Sequence, residues 1–110
     1  MSTFIISRRK EGEYLFSFKD KYGETILTSE IYPSTICCKN AVQSAKNSSL
    51  DENKFEVKSN SSDQFHFYLK SNCGEIIGKS PYFKTKQSLQ SGIEYMKRIA
   101  GDSSVEQENY

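Results

Sequence analysis

The sequence predicts a small α+β domain built from two tandem copies of a βββα unit. The chain aligns with itself at a shift of 51 positions. Within each copy the spacing of the apolar residues changes from two to about 3.6, as a change from strand to helix requires. A length of 110 residues suits one hydrophobic core. We therefore expect the two copies to share that core rather than to form separate domains.

The internal repeat aligns residues 4–50 with residues 55–101 without a gap. Residue type is kept where a strand or a turn requires it, as expected for a duplicated structural unit. The matched pairs include Phe4 with Phe55, Tyr14 with Phe65, Phe16 with Phe67, Phe18 with Leu69, Gly23 with Gly74, Ile26 with Ile77, Ser29 with Ser80 and Tyr32 with Phe83. Residues 1–101 are predicted to form a single domain made of these two repeats.

Three strands open each copy. Residues 4–8 and 55–59 are the first strands, and an aromatic residue at every second position gives each second strand a core-facing side. Gly23 and Gly74 supply the positive φ that a hairpin turn into the third strand needs. The third strands, 24–29 and 75–79, run into Pro33 and Pro81, which cannot donate to a sheet ladder.

One amphipathic helix closes each copy. Its apolar residues recur at i, i+3, i+4 and i+7, which gives one narrow stripe that faces the sheet. Those residues are Cys38, Ala41, Val42 and Ala45, and then Leu89, Gly92, Ile93 and Met96. Ser34 or Thr35, and Thr85, can cap the helix starts with a side-chain oxygen. We expect an antiparallel sheet with both helices packed on one face.

The last residues, 102–110, are polar and carry no periodicity. Such a segment has too little apolar surface to offset the entropy of ordering it. We predict a disordered tail.

Composition and charge narrow the class of protein. Residues 1–100 carry 15 Lys and Arg against 11 Asp and Glu, a net charge of only +4, so a nucleic-acid partner is allowed but not indicated. No segment has the apolar length of a signal peptide or a membrane span. We expect a cytoplasmic protein with no membrane partner.

The nucleophilic and metal-ligating residues form no recognisable site. The three cysteines, two of them adjacent at Cys37 and Cys38, give neither a disulfide framework nor a CxxC spacing. The single histidine, His66, cannot complete a usual four-ligand zinc set. We predict no metal, no cofactor and no catalytic residue.

Two motif pairs carry a resemblance to a known family. The segment KYGETILTSEIY followed by CCKNAVQSAK, and its echo NCGEIIGKSPYF followed by SLQSGIEYMK, resemble the YegP-like family of small uncharacterised bacterial proteins. The resemblance covers residues 4–100. It implies tandem βββα repeats with pseudo-twofold symmetry, hence a monomer that contains an internal pseudo-dimer, and it implies no established reaction.

Residues predicted to point away from the core form the candidate interaction surface. His66 alternates with core-facing residues, so we expect it to be exposed on the sheet face opposite the helices. A basic cluster ends the first strand, and further lysines flank an aromatic residue on outward positions. The surface comprises Arg8, Arg9, Lys10, Leu15, Lys19, His66, Tyr68 and Lys70.

The function predicted from these residues is a non-enzymatic binding or protein-interaction module that uses the helix-free sheet face or its edges. The alternative is a weak nucleic-acid-binding protein that uses the basic residues of that face. An enzyme has the least support. It would need Glu24 and Glu75, which follow the two turn glycines, to meet as an acid and base pair, or His66 to act as a base.

Overall fold

The computed structural model describes residues 2–108. These residues form seven strands, two α-helices and two short 3-10 turns, at Glu52–Lys54 and Ala100–Asp102. The strands and helices are β1 (Thr3–Lys10), β2 (Glu13–Lys19), β3 (Thr25–Ser29), α1 (Thr35–Ser48), β4 (Phe55–Ser59), β5 (Phe65–Lys70), β6 (Ile76–Lys79), α2 (Lys86–Ile99) and β7 (Ser104–Gln107). The two βββα repeats predicted from the sequence are confirmed.

All seven strands belong to one sheet, in the order β4-β5-β6-β3-β2-β1-β7. The repeats meet at its centre, where β3 pairs antiparallel with β6 through Thr28 opposite Lys79 and Ser29 opposite Gly78. Five of the six strand pairs are antiparallel, whereas β1 and β7 pair in parallel. The two halves of the sheet are thus related by a pseudo-twofold axis between β3 and β6.

A single core lies between the sheet and the two helices, which pack on one face. Rings from both repeats fill it, with Phe4 in contact with Phe16 at 5.5 Å and Phe55 with Phe67 at 5.4 Å between ring centroids. The buried stripe of each helix, for example Val42 of α1, joins the same cluster. Because neither half of the sheet is covered by its own helix alone, the repeats share one core.

The helices begin where their capping residues predict. The Ser34 hydroxyl accepts a hydrogen bond from the Cys37 amide at 3.2 Å, and the Thr85 hydroxyl accepts one from the Ser88 amide at 3.0 Å. Each satisfies an amide of the first turn that has no partner within the helix.

Turn glycines are also confirmed. Gly23 and Gly74 have φ angles of 83° and 84°, and their amides close the turns onto the carbonyls of Asp20 and Ser71 at 3.0 Å each. The turn between β1 and β2 has Gly12 at φ 76°, and the equivalent turn of the second repeat has Asp63 at φ 58°. This left-handed region favours glycine, and Asp63 adopts it at a small cost in backbone strain.

Two serines at the ends of β3 and β6 replace backbone partners in the sheet. The Phe16 amide donates to the Ser29 hydroxyl at 2.8 Å, and that hydroxyl donates to the Glu30 carbonyl at 2.8 Å. The second repeat repeats this arrangement, with the Phe67 amide on Ser80 at 2.9 Å. Ser29 and Ser80 therefore have structural roles.

The predicted disordered tail is wrong for part of its length. Ser104–Gln107 form β7, which lies beside β1 with Thr3 opposite Ser104 and Ile6 opposite Gln107. The open edge of β1 supplies backbone partners, and the Thr3 hydroxyl also donates to the Ser104 carbonyl at 3.2 Å. Pairing with an existing edge orders a segment that has little apolar surface of its own. Residues 109–110 lie outside the described residues.

Neither helix within residues 2–108 is long and apolar enough to cross a lipid bilayer.

Candidate functional site

The most distinctive surface of the molecule is the helix-free side of β4, β5 and β6, which we call the histidine face. Alternation along each strand turns every second side chain to this side, away from the helices. The face comprises Glu56, Lys58, His66, Tyr68, Lys70 and Lys79, and Tyr82 from the segment that follows β6.

His66 lies at the centre of this face and is covered by aromatic rings. Tyr68 and Tyr82 pack edge-on against the imidazole, with ring centroids 5.2 and 5.1 Å away. Only 8% of His66 is exposed. The expectation that His66 meets solvent is therefore wrong. It lies on the predicted face, but Tyr82, which is 16 positions further along the chain, closes over it.

The buried Nδ1 of the His66 imidazole lacks a hydrogen-bond partner in the described part of the chain. Among the buried side-chain nitrogen and oxygen atoms of residues 2–108, only its Nδ1 has no hydrogen bond. Burial lowers the pKa of His66 below its usual value of 6.5, and the charges of Lys79 and Lys58 lower it further. The lowered pKa favours the neutral ring, and an unsatisfied buried nitrogen such as Nδ1 is uncommon in folded proteins.

Charge on the histidine face is predominantly positive. The carboxylate of Glu56 binds Lys70 at 3.1 Å and Lys58 at 3.7 Å, and Lys70, the largest cause, lowers the pKa of Glu56. The ammonium group of Lys79 instead contacts Tyr82, at 3.2 Å from the hydroxyl and 4.8 Å from the ring centroid. Three lysines thus face one glutamate. A shallow cavity of about 370 Å3 borders Lys79 and Tyr82 on the side of Glu30.

The predicted interaction surface is divided by the structure. Its basic cluster, Arg8 to Lys10, lies at the end of β1. In the sheet, β1 is separated from β5 by four strand spacings of about 4.8 Å each. Glu13 binds Arg9 at 2.6 Å and Lys10 at 3.5 Å. The cluster is therefore not assembled with His66 into one continuous basic surface.

Leu15 and Lys19 lie on the helix-free side of β2, at the positions equivalent to His66 and Lys70. The first repeat does not reproduce the rest of the histidine face. Its equivalents of Lys58, Tyr68, Lys79 and Tyr82 are Ser7, Ser17, Thr28 and Ile31. The histidine face thus exists once, in the second repeat.

Sequence reasoning missed Lys58, Lys79 and Tyr82. The two lysines were detectable, because each occupies a helix-free position of its strand, opposite His66 and Tyr68 respectively. Tyr82 gave no such signal, since it follows the strand and its approach to His66 depends on the path of the chain around Pro81.

Glu24 and Glu75 do not meet. They lie in two separate grooves on the helix side, each bounded by the helix of one repeat and the third strand of the other. The grooves have volumes of about 350 and 490 Å3, and nine lining positions of one match nine of the other at the shift of 51. An acid and base pair of these two glutamates is therefore not formed. In the groove that contains Glu75, burial raises the pKa of Tyr32 to about 12, and nearby acidic groups including Glu75 add to the rise.

The cysteines are separate free thiols, with Cys38 buried and Cys37 and Cys73 exposed. Burial raises the pKa of Cys38 to about 11, so its thiol stays protonated. No group of three or more metal-ligating side chains occurs within residues 2–108.

Comparisons with known proteins agree with the duplication. The family model described as "Domain of unknown function (DUF1508)" matches twice, at residues 10–56 and 60–107. The first match ends within β4, and the second match ends with β7. Each match thus spans two strands, a helix and the beginning or whole of the strand that follows the helix.

Relatives align over nearly the whole chain. A UPF0339 protein from the region upstream of the ptx operon in Stutzerimonas stutzeri is 36% identical over 103 residues, which is 94% of this chain and 93% of the relative. The UPF0339 protein YegP of Escherichia coli K12 is 35% identical over 102 residues, 93% of each chain.

The solution NMR structure of YegP from E. coli, a protein of unknown function, has the same fold. Its TM-score is 0.90 at 33% identity, covering 97% of this chain and 92% of that one. These comparisons bring a fold and a duplication but no activity. The chain belongs to the DUF1508 domain family and carries two tandem copies of that domain.

Proposed function

We propose that this chain is a non-enzymatic protein-interaction module whose histidine face binds an acidic peptide segment. The observation that carries the proposal is the buried, unpartnered Nδ1 of His66 beneath two tyrosine rings and beside two lysines. A neutral imidazole holds one N–H donor and one acceptor nitrogen. In the proposal Nδ1 carries the proton and donates to a carboxylate of the partner.

Access to His66 requires one side chain to move. Tyr68 is fixed within β5, whereas Tyr82 follows the end of β6 and is 50% exposed. Tyr82 also holds the ammonium group of Lys79. When Tyr82 swings outward, the same motion uncovers Nδ1 and releases Lys79. A carboxylate that enters then takes both partners, and the charged hydrogen bond to Lys79 is stronger than the tyrosine contact it replaces.

Charge supports an acidic partner over a basic one. Glu56 partly neutralises Lys58 and Lys70. The ammonium group of Lys79 instead contacts the neutral hydroxyl of Tyr82. A carboxylate satisfies Lys79 and Nδ1 together. A nucleic acid would need a longer track of positive charge, whereas Arg9 and Lys10 lie on a distant strand and are bound to Glu13.

A cytoplasmic location is part of the proposal. It is supported by the exposed thiols of Cys37 and Cys73, since oxidising compartments favour disulfides and modified cysteines.

The test is a two-dimensional NMR titration of the 15N-labelled chain with a short peptide that alternates Glu and Ser. The control peptide has Gln in place of each Glu. We expect chemical-shift changes at Lys58, His66, Lys79 and Tyr82 with the acidic peptide only. Lys79→Gln should weaken binding about fivefold, the effect of losing an ion pair worth about 1 kcal/mol.

Lys19→Gln is the matched control variant, because it removes one lysine from the same sheet side of the first repeat. It should change the affinity less than twofold. Equal binding of both peptides, or shifts that avoid the histidine face, would refute the proposal. Salt-dependent binding of a thymidine oligonucleotide in place of the acidic peptide would favour the nucleic-acid alternative instead.

A further inference from the structure

The two repeats differ at the outer edge of their first strands. In the first repeat the outer edge of β1 is covered by β7. The equivalent strand, β4, is an end strand of the sheet that residues 2–108 form. An end strand presents a row of unpaired amide and carbonyl groups, to which a further strand can add.

The sequence of β4 is self-complementary when read in the antiparallel direction. Its residues are Phe55, Glu56, Val57, Lys58 and Ser59. If two copies of β4 pair about a twofold axis at Val57, Glu56 of each copy lies opposite Lys58 of the other. Opposite charges in directly facing positions stabilise an antiparallel pair.

Val57 adds an apolar contact at the centre of this pairing. It lies opposite Phe67 of β5, which places it on the helix side of the sheet. It is nevertheless 46% exposed, because β4 has no neighbour on its outer side. Contact between the two copies of Val57 would remove this surface from water.

We propose that β4 pairs antiparallel with β4 of a second copy of this chain, joining the two sheets into one across a twofold axis, in place of the monomer expected from the sequence. This inference does not rest on the acidic partner of the histidine face. The interface is isologous, so it closes after two copies and leaves no β4 edge free.

The C-terminal strand of a second copy fits the same edge less well. In the parallel register that β7 uses on β1, Glu106 lies opposite Ile5. The residue of β4 equivalent to Ile5 is Glu56. Two glutamates would therefore face each other, which is destabilising. Such a contact would also be heterologous and could extend into a filament rather than close.

Charge-reversal variants test the pairing by sedimentation velocity. The wild-type chain should self-associate with a dissociation constant on the order of 100 µM, because a five-residue edge buries less than a standard interface. Glu56→Lys makes the edge wholly positive and Lys58→Glu makes it wholly negative, so each should raise the constant at least tenfold. An equimolar mixture of the two should form a heterodimer, and the double variant E56K/K58E should associate as the wild type does.

Glu106→Lys is the matched control, since it makes the same charge change on the opposite edge strand. It should leave self-association unchanged. A wild-type chain that is monomeric at about 1 mM, or a mixture that does not associate, would overturn the proposal. Disruption by Glu106→Lys alone would overturn it in favour of β7. If a charge-reversal variant does not fold, Lys58→Gln is used in its place and should raise the dissociation constant of self-association about threefold. An unchanged dissociation constant would overturn the proposal.

Discussion

Substitution of Gly78 tests how closely the two repeats approach at the pseudo-twofold axis. Gly78 lies on β6, opposite Ser29 of β3. A Cβ atom at position 78 would lie 2.8 Å from the backbone oxygen of Thr28 and 3.0 Å from Cγ of Leu27. Leu27 is the equivalent of Gly78 in the first repeat and is fully buried. The junction therefore has room for one leucine, supplied by the first repeat alone.

The expected effect of Gly78→Ala follows from these distances. The backbone oxygen cannot yield as a side chain can, and overpacking of this kind costs about 1–3 kcal/mol. Alanine recovers about 0.5–1 kcal/mol in a strand through its smaller conformational freedom in the unfolded chain. The net loss is about 0.5–2 kcal/mol, which lowers Tm by about 2–9 °C in a chain of this length.

The assay is thermal unfolding followed by circular dichroism, with Gly101→Ala as the matched control. No atom lies within 4 Å of a Cβ built at Gly101, so that variant should melt no lower than the wild type and at most about 4 °C higher. Gly78→Ala with an unchanged or higher Tm would refute the close approach at the junction.

A double variant then identifies the neighbour that resists the new methyl group. Leu27→Ala alone should cost about 2–5 kcal/mol, because it leaves a cavity in the core. Adding Gly78→Ala to that variant should cost less than adding it to the wild type, since the methyl group occupies vacated space. Strictly additive losses in free energy of unfolding would exclude Leu27 as the neighbour concerned.

Three further predictions concern other named contacts. Ser29→Ala and Ser80→Ala should each lower the free energy of unfolding in urea by about 1–3 kcal/mol, because each leaves a buried backbone amide without a hydrogen-bond acceptor. A loss below about 0.5 kcal/mol would contradict this role. Asp63→Gly should raise the free energy of unfolding by about 0.5–1 kcal/mol, because glycine adopts a φ of 58° without strain, and a lower value would contradict the assignment of strain. Because the pKa of His66 is lowered in the folded chain, the unfolded chain takes up a proton first on acidification. Stability should therefore be full above about pH 6.5 and fall below it, towards the folded pKa. His66→Gln should flatten this pH dependence of Tm, and an unchanged slope would assign it to other groups.

Most of the fold could be predicted because its determinants are local or repeated. The alternation of Phe16 and Phe18 fixes the core side of β2, and Ser34 and Thr85 mark the first turns of the helices. The repeat itself identified both copies, because the same spacing recurs in each.

The residues of β7 alone do not predict that this segment forms a strand. Ser104–Gln107 has neither the apolar alternation nor the aromatic content of a strand. Its order comes from the edge of β1, roughly a hundred positions earlier in the chain. The side chains of β7 also do not resemble those of β1 and β4, because Val105 is the single large apolar residue of β7.

The side of the sheet on which His66 and Tyr68 lie was predicted, but the surroundings of His66 were not. Alternation along β5 placed His66 and Tyr68 on the helix-free side. The burial of His66 depends on Tyr82, and its electrostatic surroundings depend on Lys58 and Lys79 from two neighbouring strands. Pairing between strands decides these contacts, and no spacing within one strand encodes them.

The most direct test of the proposed function is the pKa of His66 with and without the acidic peptide. His66 is the only histidine of the chain, so its imidazole signal in a proton NMR pH titration needs no further assignment. In the free chain this pKa should lie below 6.5, and saturation with the acidic peptide should raise it, because a carboxylate beside the ring stabilises the protonated form. A pKa of His66 that is unchanged at saturating peptide would contradict binding at the histidine face.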